Sequence, residues 1–186
     1  MKSQCDDEVL FVQELAALLS KEHSRHQRDM IVSWIGTDAK KISAAIYVLC
    51  HHSYRDVQRV AWVISAVAEK HPELVAPHLK TLVLRLGRTP LPDAVKRNIV
   101  RILSFVPLPA EAHSEIVHTC FGYLYAAHEP VAVRVFAMSV LYRLSGAYPE
   151  IKTELKELLE LELEKMPSPG IKSRAQKILS QLRKPG

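Results

Sequence analysis

The sequence predicts an all-α solenoid of stacked helix pairs. An apolar stripe at offsets of 0, 4, 7 and 11 residues occurs four times at intervals of 38 residues, and these offsets trace one face of a helix. No stretch shows the sustained apolar and polar alternation of a strand. An interval of this length is typical of solenoids, whose units bury their apolar faces only against neighbouring units. The stripe comprises Val57, Ala61, Ile64 and Ala68, then Val95, Ile99, Ile102 and Val106, then Val133, Ala137, Val140 and Leu144, and finally Ile171, Ala175, Ile178 and Leu182.

Prolines and glycines predict where the helices begin and end. Proline fits the first helical turn, and residues such as Pro72, Pro149 and Pro169 open periodic segments, the last after the predicted N-cap Ser168. Glycine commonly closes a helix, and we expect this role for Gly36, Gly87, Gly146 and Gly170. The predicted helices are 6–20, 23–35, 38–51, 55–70, 73–87, 93–106, 110–127, 130–146, 150–165 and 169–184.

Taken in order, these helices form about five antiparallel pairs in a single domain spanning residues 1–186. Residues 1–36 form an irregular first pair, which we expect to act as an N-terminal cap, because terminal repeats often depart from the pattern. Residues 37–186 contain the repeats with the 38-residue period, and the stripe falls on the second helix of each later pair.

Two kinds of segment resemble HEAT repeats. The stretches 56–61 and 133–137 resemble the start of a second HEAT helix, while 71–74 and 148–151 resemble the opening of the following first helix. The whole chain also resembles small bacterial HEAT-like proteins, for example over residues 93–98. The resemblance implies a right-handed α-α superhelix whose second helices line a concave face. The aspartate that this family usually carries six residues before the arginine is missing, because His128 stands six residues before Arg134.

Charge is distributed unevenly between the two sets of helices. The four later second helices carry thirteen basic and three acidic residues, whereas the first helices are acidic on balance. If second helices line the concave face, that face is basic. Within each second helix, the positions opposite the apolar stripe are the ones we expect to point away from the core. The binding candidates on this face are Arg59, Trp62, Arg97, Arg101, Tyr142 and Lys177.

Both structural and functional interpretations apply to these side chains. Arg59, Arg97 and Arg101 fit either a solvated helix face or an anion-binding groove, because guanidinium groups suit carboxylates and phosphates. Trp62 fits either packing or stacking one turn from Arg59. Lys96, Arg134 and Lys172 lie at the side of their helices, where we expect them to bridge to turns or carbonyls.

Composition and spacing argue against several other classes. The nine histidines lack metal-binding spacing, and no nucleophile or phosphate-loop motif occurs, so we expect no metal, cofactor or catalytic residue. The three cysteines are odd in number and far apart, as in reduced cytoplasmic proteins, and we expect Cys50 and Cys120 in the core. No apolar run reaches membrane-spanning length, and the acidic start is unlike a secretory signal.

The sequence therefore predicts a non-catalytic HEAT-like interaction module that binds an acidic protein or peptide on its basic concave face. Nucleic-acid binding through the same face is the alternative, which a sequence pI near 9.1 allows. A HEAT-like DNA glycosylase, using Asp93, Trp62 and Arg97, is the third interpretation, but Asp93 is more simply explained as a helix cap.

Overall fold

The computed structural model describes residues 2–88 and 90–183, with side chains from Asp7 onward. The described residues are helical with short connections and contain no strand, which confirms the all-α prediction. The α-helices are α1 (Lys2–Lys21), α2 (Arg25–Ile35), α3 (Ala39–His51), α4 (Tyr54–Lys70), α5 (Pro72–Val75), α6 (Leu79–Leu86), α7 (Asp93–Leu103), α8 (His113–Tyr125), α9 (Val131–Leu144), α10 (Pro149–Glu164) and α11 (Pro169–Leu182). Two 3-10 turns, Ala76–His78 and Ala110–Ala112, precede α6 and α8.

The helices form two compact units. The first unit comprises the residues up to 102 together with 106–108, and within it α1 packs on α3 while α2 and α3 pack on α4. The second unit comprises 103–105 and the residues from 109 onward, and within it α9 packs on α8, α10 and α11. Helices that are alternate in sequence, such as α2 and α4 or α9 and α11, are therefore neighbours, as expected for stacked helix pairs.

The repeated apolar stripe forms the core of both units. All sixteen of its residues are at most 9% exposed, and Ile64, Val95, Ala137 and Ala175 are fully buried. Burial of these side chains is the main source of stability for helices that are too short to persist alone. The prediction from the 38-residue repeat is confirmed at every position.

Side chains and prolines fix several helix starts. The Ser24 hydroxyl accepts a hydrogen bond from the Gln27 amide at 3.0 Å, and the Asp38 carboxylate accepts one from the Lys40 amide at 2.8 Å. These bonds satisfy amides that have no partner within the helix. Pro149 and Pro169 begin α10 and α11, as predicted. Ser168 precedes α11, but its side chain makes no capping bond.

Three local predictions were wrong. The helix expected over 73–87 is interrupted by the 3-10 turn around Pro77, because proline has no amide hydrogen and its ring clashes with the preceding turn. The helix expected over 93–106 ends at Leu103, although Val106 remains buried. Gly170 lies at the start of α11 instead of closing a segment, and a Cβ there would approach Val131 Cγ1 to 3.1 Å.

The structure places the side chains of two of the three cysteines. Cys120 is buried as predicted, whereas Cys50 is only half-buried, and the side chain of Cys5 lies outside the described residues. Among the described helices, none combines the length and apolar character that crossing a bilayer requires. The organisation as one domain with a cap over 1–36 stays a prediction.

Candidate interaction surface

The six predicted binding residues are divided between the two units. Arg59 and Trp62 on α4 and Arg97 and Arg101 on α7 belong to the first unit. Tyr142 on α9 and Lys177 on α11 belong to the second unit, where Tyr142 is half-buried and Lys177 is exposed. The first unit therefore holds four of the six candidates.

Two of these four are already engaged within the protein. Arg59 Nη1 donates a hydrogen bond to the Leu19 carbonyl oxygen of α1. Arg101 Nη1 donates to Ser65 Oγ at 2.9 Å, and its Nη2 forms an ion pair with Glu69. Both guanidinium groups therefore bond to a neighbouring helix, and the expectation that Arg59 and Arg101 point away from the core to bind a partner stays a prediction.

Arginine-to-carbonyl bonds of this kind recur. Arg85 Nε donates to the Leu49 carbonyl at 3.3 Å, and Arg143 Nη1 donates to the Leu103 carbonyl at 2.7 Å. Leu19, Leu49 and Leu103 each lie in the last turn of a helix, where carbonyl groups have no partner within that helix. These arginines therefore cap the C-terminal ends of other helices, and partial burial lowers the pKa of Arg143.

Our sequence interpretation missed this role. Arg59, Arg101 and Arg143 recur at intervals of 42 residues, each one helical turn further along its helix than the 38-residue repeat would place it. Each bonds to a preceding helix, Arg101 through Ser65 and Glu69 instead of a carbonyl.

Trp62 and Arg97 line a cleft of about 170 Å³ in the first unit, together with His23, Gln58 and Ala94. The Arg97 side chain is exposed, and Trp62 is half-buried. The cleft therefore combines an exposed arginine with an aromatic ring and an amide, and the binding role of Trp62 and Arg97 stays a prediction.

The Trp62 ring contacts Arg28 of α2 and His23 of the connection between α1 and α2. Arg28 Cζ lies 4.7 Å from the ring centroid, and the His23 ring contacts the indole at 5.5 Å and 60°. Arg28 also donates to Asp29 Oδ1 through Nε at 2.9 Å, and this interaction lowers the pKa of Asp29. Arg28 is thus fixed against the tryptophan, with its charge partly compensated by Asp29.

The three residues expected to bridge within the protein have different environments. Arg134 is 7% exposed and donates from Nη2 to the Leu124 carbonyl at 3.3 Å, as predicted. Its Nη2 also lies 2.8 Å from Glu162 Oε2. Lys96 lies 3.5 Å from the Asp93 carboxylate within its own helix. The prediction was wrong for Lys172, which is exposed.

The position of Asp93 gives little support to the glycosylase interpretation. Asp93 pairs with Lys96 in the first turn of α7 and is absent from the described lining of the Trp62 cleft. Among the described residues, no group of three or more His, Cys, Asp or Glu side chains is arranged to hold a metal ion.

Comparison with known families gives one match. The model of the HEAT repeat domain matches residues 15–182, which is most of the chain and extends through both units. The chain belongs to the HEAT repeat family. No curated protein and no solved structure matches it in the corresponding searches. HEAT repeats commonly mediate protein interactions, so the family and the fold together indicate an interaction scaffold.

Proposed function

We propose that this HEAT repeat protein binds an acidic segment of a partner protein at the Trp62 cleft. The observation that carries the proposal is the exposed Arg97 guanidinium beside Trp62, in a cleft that also contains Gln58. Arg59 bonds to the Leu19 carbonyl of α1 and Arg101 to Ser65 and Glu69 of α4, so both guanidinium groups are engaged with neighbouring helices.

The chemistry of the cleft suits a carboxylate. Arginine presents paired N–H donors that match the two oxygens of a carboxylate, and such charge-assisted bonds are stronger than neutral ones. The Gln58 amide adds a further donor, and Trp62 supplies an apolar wall for the stem of a glutamate side chain. The cleft volume of about 170 Å³ is small, which favours a single side chain of a peptide over a bulky ligand.

Surrounding charge supports the same partner. Lys70 is exposed at the end of α4, the helix that carries Trp62. In the second unit, Lys177 is exposed and Tyr142 is half-buried, and both stay candidate binding residues of that unit by itself. The reduced cysteines fit a cytoplasmic setting for this interaction.

The test is a binding titration with labelled peptides. A glutamate-rich peptide should bind wild type, and Arg97→Ala should weaken binding by about tenfold, the equivalent of one charge-assisted contact. Arg88→Ala is the matched control, because Arg88 is also exposed in the first unit but lies outside the cleft lining. Equal loss in both variants would indicate diffuse charge attraction and would contradict the cleft as the site.

Nucleic acid provides the competing outcome of the same experiment. Duplex and single-stranded DNA and RNA are titrated at low and moderate salt, because phosphate-driven binding weakens steeply as salt increases. Tight, salt-sensitive nucleic-acid binding that Arg97→Ala abolishes, with weak peptide binding, would replace the acidic-segment proposal. Base excision lost specifically in Asp93→Asn would then support the glycosylase interpretation.

A further inference from the structure

The second unit contains a larger groove that lies far in sequence from the Trp62 cleft. Its volume is about 710 Å³, and residues of α8, α10 and the segments that precede them line it. This volume is within the range of ligand sites in proteins. Phe121 and Ile151 are buried in the lining, while Tyr125, Glu150 and Glu154 are exposed.

Helix packing leaves room for this groove. Within the second unit, α8 and α10 each pack on α9, but α8 and α10 are not themselves among its closely packed helix pairs. The equivalent helices α1 and α3 of the first unit do pack closely. The space between α8 and α10 is therefore bordered by two helices that are held in place from behind by α9.

Gly122 leaves the α8 wall of the groove open. It lies inside α8, where glycine is the least favourable residue apart from proline. A Cβ at this position would meet no atom within 4 Å, so close packing inside the described protein does not require glycine. Gly122 also lines the groove, and its missing side chain leaves the α8 wall open to an approaching ligand.

Aromatic rings form the walls beside Gly122. Phe121 and Tyr125 stack with their centroids 6.2 Å apart, and Tyr148 stands at the other side with its hydroxyl 2.9 Å from His113 Nδ1. Stacked aromatic faces attract cations and accept the aliphatic stems of long basic side chains. The rings are thus placed to hold an arginine or lysine side chain.

The charge of the lining is negative. Glu150 and Glu154 are the carboxylates of the groove, and Glu154 Oε1 accepts a hydrogen bond from the Tyr125 hydroxyl at 2.8 Å. No lysine or arginine lines the groove among the described residues. A carboxylate fixed beside an aromatic face is complementary to a guanidinium or ammonium group.

We infer that this α8–α10 groove binds a basic segment of a partner protein, with an arginine or lysine side chain seated over Gly122 between the aromatic rings. Glu150 and Glu154 pair with the cation, and Phe121 and Tyr125 contact its stem. The groove and the Trp62 cleft thereby give one scaffold two sites of opposite charge preference, and the inference does not depend on the function proposed for the Trp62 cleft.

The inference is tested with a labelled peptide of alternating arginine and alanine, and with the same peptide carrying citrulline in place of arginine. The arginine peptide should bind wild type at least about tenfold more tightly than the citrulline peptide, since citrulline keeps the shape and removes the charge. Glu150→Gln/Glu154→Gln should weaken arginine-peptide binding by a similar factor.

Two further variants distinguish binding in the groove from a general attraction of the basic peptide to acidic residues. Glu115→Gln/Glu164→Gln makes the same charge change at exposed positions of α8 and α10 outside the groove lining, and should leave binding unchanged. Gly122→Leu should fill the groove and weaken binding, while it keeps the helical circular-dichroism spectrum and a melting temperature no lower than that of wild type.

Several results would overturn the inference. These are the absence of binding to wild type, equal loss in the two glutamine pairs, and undiminished binding by Gly122→Leu. Concentration-dependent self-association of wild type that Gly122→Leu abolishes would assign the groove to a second copy of the chain instead.

Discussion

Arg134 on α9 and Glu162 on α10 form a buried ion pair, with 2.8 Å between Arg134 Nη2 and Glu162 Oε2. The two side chains are 9% and 12% exposed, and Arg134 also bonds to the Leu124 carbonyl, while its Nε has no partner among the described residues. The aspartate that the family resemblance led us to look for is replaced by His128. Glu162, which is 28 residues later in the chain, supplies the carboxylate instead.

Removal of Glu162 should destabilise the protein strongly. Glu162→Ala leaves the Arg134 charge buried without its carboxylate, and a loss of about 3–5 kcal/mol in the free energy of unfolding is expected. Glu164→Ala, at an exposed position of the same helix, should change it by about 0.5 kcal/mol or less. Urea unfolding of the two variants checks this expectation.

A double substitution that removes both charges should recover much of this loss. Replacing a buried ion pair with apolar residues of similar size is often close to neutral. Arg134→Met/Glu162→Leu is therefore expected to be more stable than Glu162→Ala. If Glu162→Ala were as stable as Glu164→Ala, the pair would have no structural role.

Arg59 and Arg97 both lie opposite the apolar stripe, but alanine at the two positions should change the free energy of unfolding by different amounts. Arg59→Ala removes the hydrogen bond to the Leu19 carbonyl and should cost about 1–3 kcal/mol of unfolding free energy. Arg97→Ala removes an exposed side chain and should cost about 0.5 kcal/mol or less. Thermal and urea unfolding compare the two directly, and similar losses would show that Arg97 is also structural.

Most of the fold could be predicted from the sequence because burial follows the helical period. The stripe that includes Val57, Val95, Val133 and Ile171 depends only on local spacing, and every member is buried. The break near Pro77 was not predicted, because the apolar period continues through this segment and the effect of a proline inside a helix was not considered.

The candidate site was harder to predict for a physical reason. An arginine opposite the apolar stripe can extend into solvent, as Arg97 does, or reach back to a carbonyl, as Arg59 does. Which of the two occurs depends on how far the arginine lies from the end of a neighbouring helix. Tertiary packing sets this distance. The α8–α10 groove escaped prediction because it arises from the spacing of two helices, although the unexplained Gly122 in a helical segment was visible.

The stability of the first unit should depend on pH through His78. Partial burial lowers the pKa of this histidine from its ordinary value of 6.5, so the folded protein favours the neutral ring. The unfolded chain binds a proton first as the pH falls, and stability therefore decreases below about pH 6.5 until the folded-state pKa is passed.

The variant His78→Gln isolates this contribution from those of the other histidines. Urea unfolding of wild type and variant between about pH 7.5 and about pH 5 should show a steeper loss for wild type. A difference between the two proteins that is independent of pH would contradict the assignment.

Glycine at position 122 should make the folded protein measurably less stable than alanine would. Alanine is a better helix former than glycine, and a Cβ at this position meets no atom within 4 Å, so Gly122→Ala should stabilise the protein by about 0.5–1 kcal/mol. Gly170→Ala is the contrasting variant, because its Cβ would crowd Val131 Cγ1 at 3.1 Å. A loss of stability in Gly122→Ala, measured by urea unfolding, would mean that the α8 wall is already filled.

The emission of Trp62 gives the most direct test of binding at the cleft. Trp34 is the other tryptophan of the chain, and in a Trp34→Phe background the fluorescence reports Trp62 alone. A glutamate-rich peptide should shift this emission in a saturable way, and the shift should be lost in Arg97→Ala and kept in Arg88→Ala. Binding of the peptide without any change in Trp62 emission, or a shift that Arg97→Ala leaves intact, would contradict the account.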